Sequence, residues 1–190
     1  DASDLRRGKE TANSIWGNEA SVLVGDFIFS RAFQMMVEIA DLRVMEILSK
    51  ASNTIAEGEV LQLMNCNDPE TTQARYMEVI RFKTAKLFEA ATQVGAVLAQ
   101  KTARLETDVA AYGMHLGTAF QLIDDVLDYR ADSDTIGKNV GDDLAEGKPT
   151  LPIIFALSKG NPEQTAHLSE VIKHGDRDQL ESVIDIIQAT

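Results

Sequence analysis

Apolar side chains recur at steps of three and four residues along three long segments of the chain, at about residues 18–66, 71–100 and 104–129. This spacing gathers them on one side of an α-helix, so it predicts helices in all three segments. The first pattern weakens near Ala40 and Asp41, where we expect one helix to end and another to begin. A polar turn at 65–68, followed by Pro69 and two threonines, predicts the N-cap of the next helix.

The region from 130 to 150 interrupts the helical pattern. Gly137, Gly141 and Gly147 alternate there with many charged residues, which indicates an ordered loop with a short helical turn. Beyond it, the pattern predicts helices near 149–158, 163–173 and 177–188. Because no convincing strand-like alternation occurs, the sequence predicts an all-α fold, with residues 1–190 in a single domain. The helices have more apolar residues than a single buried face would require. This favours a bundle around a deep central cavity, a dimer interface, or both.

Composition narrows the classes of function. The chain has 190 residues with 30 acidic and 18 basic side chains, and its net charge of −12 argues against nucleic acid and anionic membrane surfaces as partners. A single cysteine, Cys66, and the lack of a long apolar run or a signal peptide indicate a cytoplasmic protein without a transmembrane segment. Since the chain starts with Asp and its last helical pattern stops in mid-helix, we expect a fragment truncated at both ends.

The strongest chemical signal lies in residues 121–129, which read QLIDDVLDY. On a helix, Asp124 and Asp128 are neighbours one turn apart, Asp125 flanks them, and Gln121 lies one turn earlier. The other positions are apolar, so we expect three carboxylates to converge in a partly buried place. Each like-charge pair would cost about 3 kcal/mol, and a hard cation such as Mg²⁺ removes that cost, especially with phosphate in its coordination shell. The alternative is an acidic helix end that faces solvent.

Five motifs, in order, resemble those of the trans-polyprenyl diphosphate synthase family. Residues 121–129 are similar to its second aspartate-rich motif, and 137–152, GKNVGDDLAEGKPTLP, are similar to the loop that follows it. The opening DASDLRRG resembles the end of the first motif, DDxxD–SxxRRG, with Asp1 as the last aspartate. Lys83 and Thr84 resemble the KT pair, and 58–62, GEVLQ, resemble the GExxQ of long-chain members. Residues 56–65 look most similar to bacterial octaprenyl diphosphate synthases.

The resemblance implies an isoprenoid-synthase-type helical bundle that uses Mg²⁺ and joins isopentenyl diphosphate to an allylic diphosphate. The allylic diphosphate ionises, the double bond of isopentenyl diphosphate attacks the cation, and a proton is lost. Carried over by position, the family's metal ligands are Asp1, Asp124, Asp125 and Asp128. The substrate-binding residues are Arg6, Arg7, Gln62, Lys83, Thr84, Gln121 and Lys138. Of these, the catalytic set is Lys83, Thr84, Gln121 and Lys138.

Other features receive a structural interpretation or limit the assignment. Asp142, Asp143 and Glu146 are interpreted as a solvated loop face, and the three histidines share no ligand spacing. The family's GxKxxR segment and the earlier aspartates of its first motif are absent, so we expect these 190 residues alone to be inactive. The resemblance further implies a homodimer and a long-chain product, such as octaprenyl diphosphate for quinone side chains.

Two other functions use similar residues. A terpene cyclase or head-to-head synthase of the same fold also has a DDxxD motif and Mg²⁺, but the RRG after Asp1 and the EGKPTLP run favour chain elongation. A non-catalytic synthase-like subunit would tend to lose aspartates, whereas Asp124, Asp125 and Asp128 are all present.

Overall fold

A computed structural model describes residues 5, 6, 8–130 and 140–190, with side chains from residue 8 onward. The described part is almost entirely helical, which confirms the all-α prediction. In chain order, its elements are β1 (Leu5–Arg6), β2 (Lys9–Glu10), α1 (Ala12–Ile39), α2 (Leu42–Asn65), α3 (Gln73–Ile80), a π-helical turn (Arg81–Ala85), α4 (Lys86–Leu98), α5 (Ala103–Arg130), α6 (Asp142–Ala145), α7 (Leu151–Lys159), α8 (Pro162–His174), a 3₁₀ turn (Arg177–Gln179) and α9 (Leu180–Ala189).

Local sequence explains where the helices begin and end. Ala40 takes a left-handed conformation and Asp41 accepts hydrogen bonds from the backbone of Arg43 and Val44, so the predicted division between two helices is confirmed. The side chain of Thr72 caps α3 in the predicted way. Asn161 and Gln164 form a reciprocal capping box at the start of α8.

Helix α1 begins at Ala12, six residues before the predicted start near 18, and two further features differ from the sequence prediction. The segment predicted as one helix over 71–100 contains the π-helical turn Arg81–Ala85, which hydrophobic periodicity does not reveal. A two-residue antiparallel pairing of β1 with β2 precedes α1 and is too short to produce a strand pattern. The predicted helical turn after residue 130 corresponds to α6, whereas residues 131–139 lie outside the described part.

Among the described residues, buried apolar side chains form three clusters, the largest of which includes the end of α5, the helix that carries the acidic motif. The largest joins the end of α5 to the C-terminal helices, the second joins α2 to α4, and the third joins α3 to α7. The first contains Tyr129, Leu144, Ile153, Ala156, Leu168, Val171, Ile172 and Val183. The third contains Tyr76, Ile80 and Ile154. These clusters fix α3, α5 and α6 relative to one another.

Two glycines allow neighbouring helices to approach the π-helical turn closely. A Cβ atom on Gly58 of α2 would lie 2.6 Å from the backbone nitrogen of Lys83. A Cβ on Gly117 of α5 would lie 2.7 Å from the Cα of Ala85. Both distances are below any ordinary contact, so only glycine permits this packing. The turn is thus held between α2 and α5.

Helix α1 is the least buried long helix among the described residues. Its apolar side chains, including Trp16, Phe27 and Phe29, are mostly exposed. By length and composition it is apolar enough to span a membrane, and only 6% of its most apolar window is buried. That criterion is weak for a single helix, and Asp26 and Arg31 near its middle would each be costly in a bilayer core. An exposed apolar face of this kind is also typical of a protein interface.

Candidate active site

Most of the predicted site residues that the structure describes line one cavity of about 310 Å³. It lies between α2, α3, the π-helical turn, α5 and the loop around α6. Six predicted residues contribute to its wall, namely Gln62, Lys83, Thr84, Gln121, Asp124 and Asp125. Most of the lining side chains are polar or charged, so this part of the cavity is not the apolar space expected from the helix patterns. Val79, Ile80 and Pro149 are the apolar residues in its wall.

Lys83 is held by the three residues that define the GExxQ pattern. Gly58 permits α2 to approach its backbone, as described above. The Lys83 Nζ atom lies 3.0 Å from Glu59 Oε2 and also donates to the side-chain oxygen of Gln62. The ammonium group is therefore positioned at the cavity wall by one carboxylate and one amide. A cation in this place can bind the oxygens of a diphosphate.

A chain of hydrogen bonds crosses the cavity wall from α3 to the π-helical turn. The Tyr76 hydroxyl donates to Asp125 Oδ2 at 2.5 Å, and Gln121 Nε2 donates to Asp125 Oδ1 at 2.7 Å. Thr84 Oγ1 donates to Gln121 Oε1 at 2.9 Å. Each oxygen of Asp125 thus accepts one bond from the protein, and each has capacity for a further partner.

The electrostatics of Asp125 reflect its burial. It is 4% exposed, and removal from water raises its pKa to about 6, although the hydrogen bonds from Tyr76 and Gln121 act in the opposite direction. Asp143 and Asp124 add a smaller effect of the same sign as burial. Burial, followed by the charge of Asp125, raises the pKa of Tyr76 far above its ordinary value, so its hydroxyl remains a donor. A nearby cation would therefore stabilise the ionised form of the Asp125 carboxylate.

The structure corrects the prediction that Asp128 converges with the other two aspartates. Asp128 is 1% exposed and does not line the cavity. Its Oδ2 atom accepts a hydrogen bond of 3.1 Å from the backbone N–H of Asp143, and its carbonyl oxygen accepts from Gly141. Asp128 therefore holds the first turn of α6 in place. The helix around the motif is also less buried than expected, since Ile123 is 60% exposed.

Asp143, which the sequence prediction left in a solvated loop, and Lys148, to which it gave no role, belong to the cavity. Asp143 and Lys148 both line it, and Lys148 Nζ lies 3.4 Å from Asp143 Oδ1. Burial opposes the charge of Lys148, but Glu146 and Asp143 outweigh that effect and raise its pKa. The sequence feature that could have indicated this is Leu144, an apolar residue in a charged loop. It is almost fully buried, and it anchors α6 beside the cavity.

Tyr76 was also missed by the sequence prediction. Its ring belongs to the apolar cluster between α3 and α7, and its hydroxyl reaches the acidic motif. A buried tyrosine on the apolar face of a helix needs a hydrogen-bond partner for its hydroxyl. That requirement could have indicated from the sequence that Tyr76 contacts a polar residue of the site.

A divalent cation fits the chemistry of this wall without a complete cage of protein ligands. Among the residues from 8 to 130 and from 140 to 190, no group of three or more His, Cys, Asp or Glu side chains is arranged to hold a metal ion. Mg²⁺ commonly binds through one or two carboxylates, with water and substrate phosphate completing its shell. Asp124 and Asp125 supply such carboxylates at the cavity wall. Asp1, Arg7, Lys138 and the side chain of Arg6 lie outside the described part, so their predicted roles stay predictions.

Comparison with known proteins agrees with the motifs. The octaprenyl diphosphate synthase of Escherichia coli is 57% identical over 190 residues, and the chain spans 59% of its length. The all-trans-nonaprenyl-diphosphate synthase of Rhodobacter capsulatus is 47% identical over 188 residues, 99% of this chain and 58% of that protein. A crystal structure of a polyprenyl synthase from Caulobacter crescentus, in complex with calcium and isoprenyl diphosphate, superimposes with a TM-score of 0.94 at 46% identity, covering 98% of this chain and 58% of that one.

The family model for polyprenyl synthetases also matches the chain. It matches residues 1–189, nearly the whole chain, and so includes every helix described above. The chain belongs to the polyprenyl synthetase family.

Proposed function

We propose that the protein containing this chain is a chain-elongating trans-prenyltransferase, which condenses isopentenyl diphosphate with an allylic diphosphate. The observation that carries this proposal is the cavity, in which three separate motifs (58–62, 83–84 and 121–125) meet. The chain spans about 59% of its curated relatives, so the complete site includes residues beyond those described. Residues 1–190 would form an incomplete part of one catalytic domain.

The described residues suggest how the allylic diphosphate is bound and ionised. Asp124 and Asp125 would hold Mg²⁺, which neutralises the charge that develops on a departing diphosphate. Lys83 lies on the same cavity wall and would bind diphosphate oxygens directly. Lys148, inside the cavity and paired with Asp143, is placed to do the same. By family position, Arg6, Arg7 and Lys138 would add further cations, with Arg7 directed to isopentenyl diphosphate.

Thr84 and Gln121 would stabilise the allylic cation. The Thr84 hydroxyl donates to Gln121, so the lone pairs of the Thr84 oxygen remain for a positive group in the cavity. Dipoles that are fixed before reaction stabilise a developing charge without the cost of reorientation. The same cavity excludes bulk water from one side of the cation.

The relatives support elongation over the two alternative functions. The names of the E. coli and R. capsulatus enzymes both describe synthases of linear prenyl diphosphates. Neither is a terpene cyclase or a non-catalytic subunit. Because they make products of different length at 57% and 47% identity, an octaprenyl or similarly long product is the most specific proposal that these names support.

Assembly and location complete the proposal. The exposed apolar face of α1 fits contact with a second copy of the chain, so we include a homodimer. The net charge of −12 and the single cysteine fit a cytoplasmic protein. A lipid product would pass to the membrane after release.

The test is incorporation of labelled isopentenyl diphosphate by the full-length protein, with an allylic primer and Mg²⁺. We expect linear products, and we expect Asp124→Asn to lower turnover by about 100-fold or more, since charge stabilisation in the transition state is lost. Asp108→Asn, an exposed change on the same helix, is the matched control and should retain full activity. Cyclic products, or normal activity of the Asp124 variant, would contradict the proposal.

A further inference from the structure

Tyr76 combines a buried ring with a hydroxyl that serves the acidic motif. The residue is 5% exposed and packs with Ile80 and Ile154, which fixes the ring between α3 and α7. A phenylalanine ring would fill the same space, so packing alone does not account for the hydroxyl. That hydroxyl makes a 2.5 Å hydrogen bond with Asp125, the short distance typical of a bond to a charged acceptor.

The bond restricts the rotation of the Asp125 carboxylate. Gln121 donates to one oxygen and Tyr76 to the other, from two different helices. With both donors present, the plane of the carboxylate is fixed against the cavity wall. With one donor missing, the group can rotate about its last side-chain bond and lose the orientation that a bound cation requires.

The same arrangement sets the direction of the remaining bonds. An ionised carboxylate only accepts hydrogen bonds, so Gln121 must present its NH₂ group to Asp125. The amide oxygen of Gln121 then faces Thr84, whose hydroxyl donates to it at 2.9 Å. The direction of the Thr84 hydroxyl therefore depends on Asp125.

We propose that Tyr76 is a positioning residue of the site: its hydroxyl orients the Asp125 carboxylate toward a complex of a divalent cation with diphosphate and, through Asp125 and Gln121, helps to orient the Thr84 hydroxyl. This inference rests on the proposed function. Tyr76 acts through Asp125 and need not touch the substrate.

Binding of inorganic pyrophosphate at fixed Mg²⁺, measured by calorimetry on the full-length protein, tests the inference. Tyr76→Phe should weaken Mg²⁺-dependent binding by about 10-fold, because one charge-assisted hydrogen bond is lost. The control is Tyr112→Phe, which also removes one tyrosine hydroxyl, but from an exposed residue of α5 that does not line the cavity. Its affinity should stay within about twofold of the wild type.

A double-mutant cycle separates positioning from a general structural effect. In an Asp125→Ala background, Tyr76→Phe should weaken pyrophosphate binding by less than about twofold further, because the carboxylate through which Tyr76 acts is absent. In the elongation assay, Tyr76→Phe should lower kcat and leave the KM for isopentenyl diphosphate unchanged.

The outcomes are distinguishable. Wild-type binding without any dependence on Mg²⁺ would overturn the proposed function and this inference with it. Wild-type binding that depends on Mg²⁺, with Tyr76→Phe unaffected or with independent effects of Tyr76 and Asp125, would overturn this inference alone. Failure of Tyr76→Phe to fold would also overturn it, since the hydroxyl would then be needed for folding.

Discussion

The folded protein accommodates the Asp125 carboxylate, and the same carboxylate is suited to bind a cation. This group is almost fully buried and receives hydrogen bonds from Tyr76 and Gln121, and burial is the largest influence on its pKa, which it raises. The two bonds recover only part of the hydration that the charge loses. The metal-free protein therefore carries an electrostatic cost at this residue, which a bound divalent cation would relieve.

We predict that this cost is visible in the pH dependence of stability. The pKa of Asp125 is raised from 3.8 to about 6, so between these values the folded state binds more protons than the unfolded state. The free energy of unfolding should therefore fall as pH rises through this window, by about 3 kcal/mol from this group. Denaturant unfolding of the metal-free protein from pH 4 to 7 would measure it.

The matched comparison for this experiment is Asp125→Asn. That variant should lack the fall, so its stability relative to the wild type should increase between pH 4 and 7. Asp108→Asn should follow the wild-type curve because its carboxylate is exposed. Parallel curves for Asp125→Asn and the wild type would show that Asp125 does not titrate in this window.

At the residue scale, the sequence predicted the parts of the site that belong to linear motifs. Gln62, Lys83, Thr84, Gln121, Asp124 and Asp125 were expected at the site, and all six line the cavity. Asp128 does not line the cavity, since its carboxylate accepts a hydrogen bond from the backbone of α6, which helical spacing does not reveal; its role as a metal ligand stays a prediction. Tyr76 and Asp143 were missed because their roles depend on packing between helices distant in sequence.

At the scale of elements, the boundary between α1 and α2 was predictable, whereas the start of α1 at Ala12 and the π-helical turn were not. The end of α1 and the start of α2 depend on the local conformation of Ala40 and on the cap by Asp41, both of which are short-range. The π-helical turn instead fits between α2 and α5, where Gly58 and Gly117 permit close contact. Hydrophobic periodicity carries no information about such a contact.

We predict that Gly58→Ala destabilises the protein and disturbs Lys83. A Cβ at this position would lie 2.6 Å from the Lys83 backbone nitrogen, so α2 must move, at a cost of about 1–3 kcal/mol. The displacement should also weaken pyrophosphate binding, because Glu59 and Gln62 would no longer hold the ammonium group. Denaturant unfolding and calorimetry would measure the two effects.

Gly95→Ala provides the control for that prediction. Gly95 lies within α4, and a Cβ there would meet nothing within 4 Å. The same substitution should therefore stabilise the protein by about 0.5–1 kcal/mol through helix propensity. If Gly58→Ala were equally stabilising, this result would contradict the close contact between α2 and the π-helical turn.

At the scale of the whole molecule, the fold class and family follow from the sequence, whereas the exposed faces do not. The helical patterns gave an all-α bundle, and the structure has that architecture. The same patterns do not distinguish an apolar face buried within one chain from a face left for another. Helix α1 is the clearest case, with Phe27 70% exposed.

We predict that the purified 190-residue chain associates through α1. Its apolar face should drive self-association at micromolar concentration, giving a mass above that of one chain by light scattering. The double variant Val24→Glu/Phe27→Glu should shift the mass toward the monomer. Leu42→Glu, at a residue that is 87% exposed but lies outside α1, should leave the mass unchanged. A monomeric wild-type chain would contradict this prediction.

The π-helical turn has a consequence for insertions and deletions. Lys83 and Thr84, which both line the cavity, lie within this wider turn. Deletion of one residue here would allow α3 and α4 to join as a single regular helix, with their apolar faces still in phase with the core. The residues of the turn would then take new directions, so Lys83 and Thr84 would change their positions relative to the cavity. A loss of one codon at this position would thus alter the site and spare the fold, whereas a loss elsewhere in these helices would shift the apolar face and endanger both.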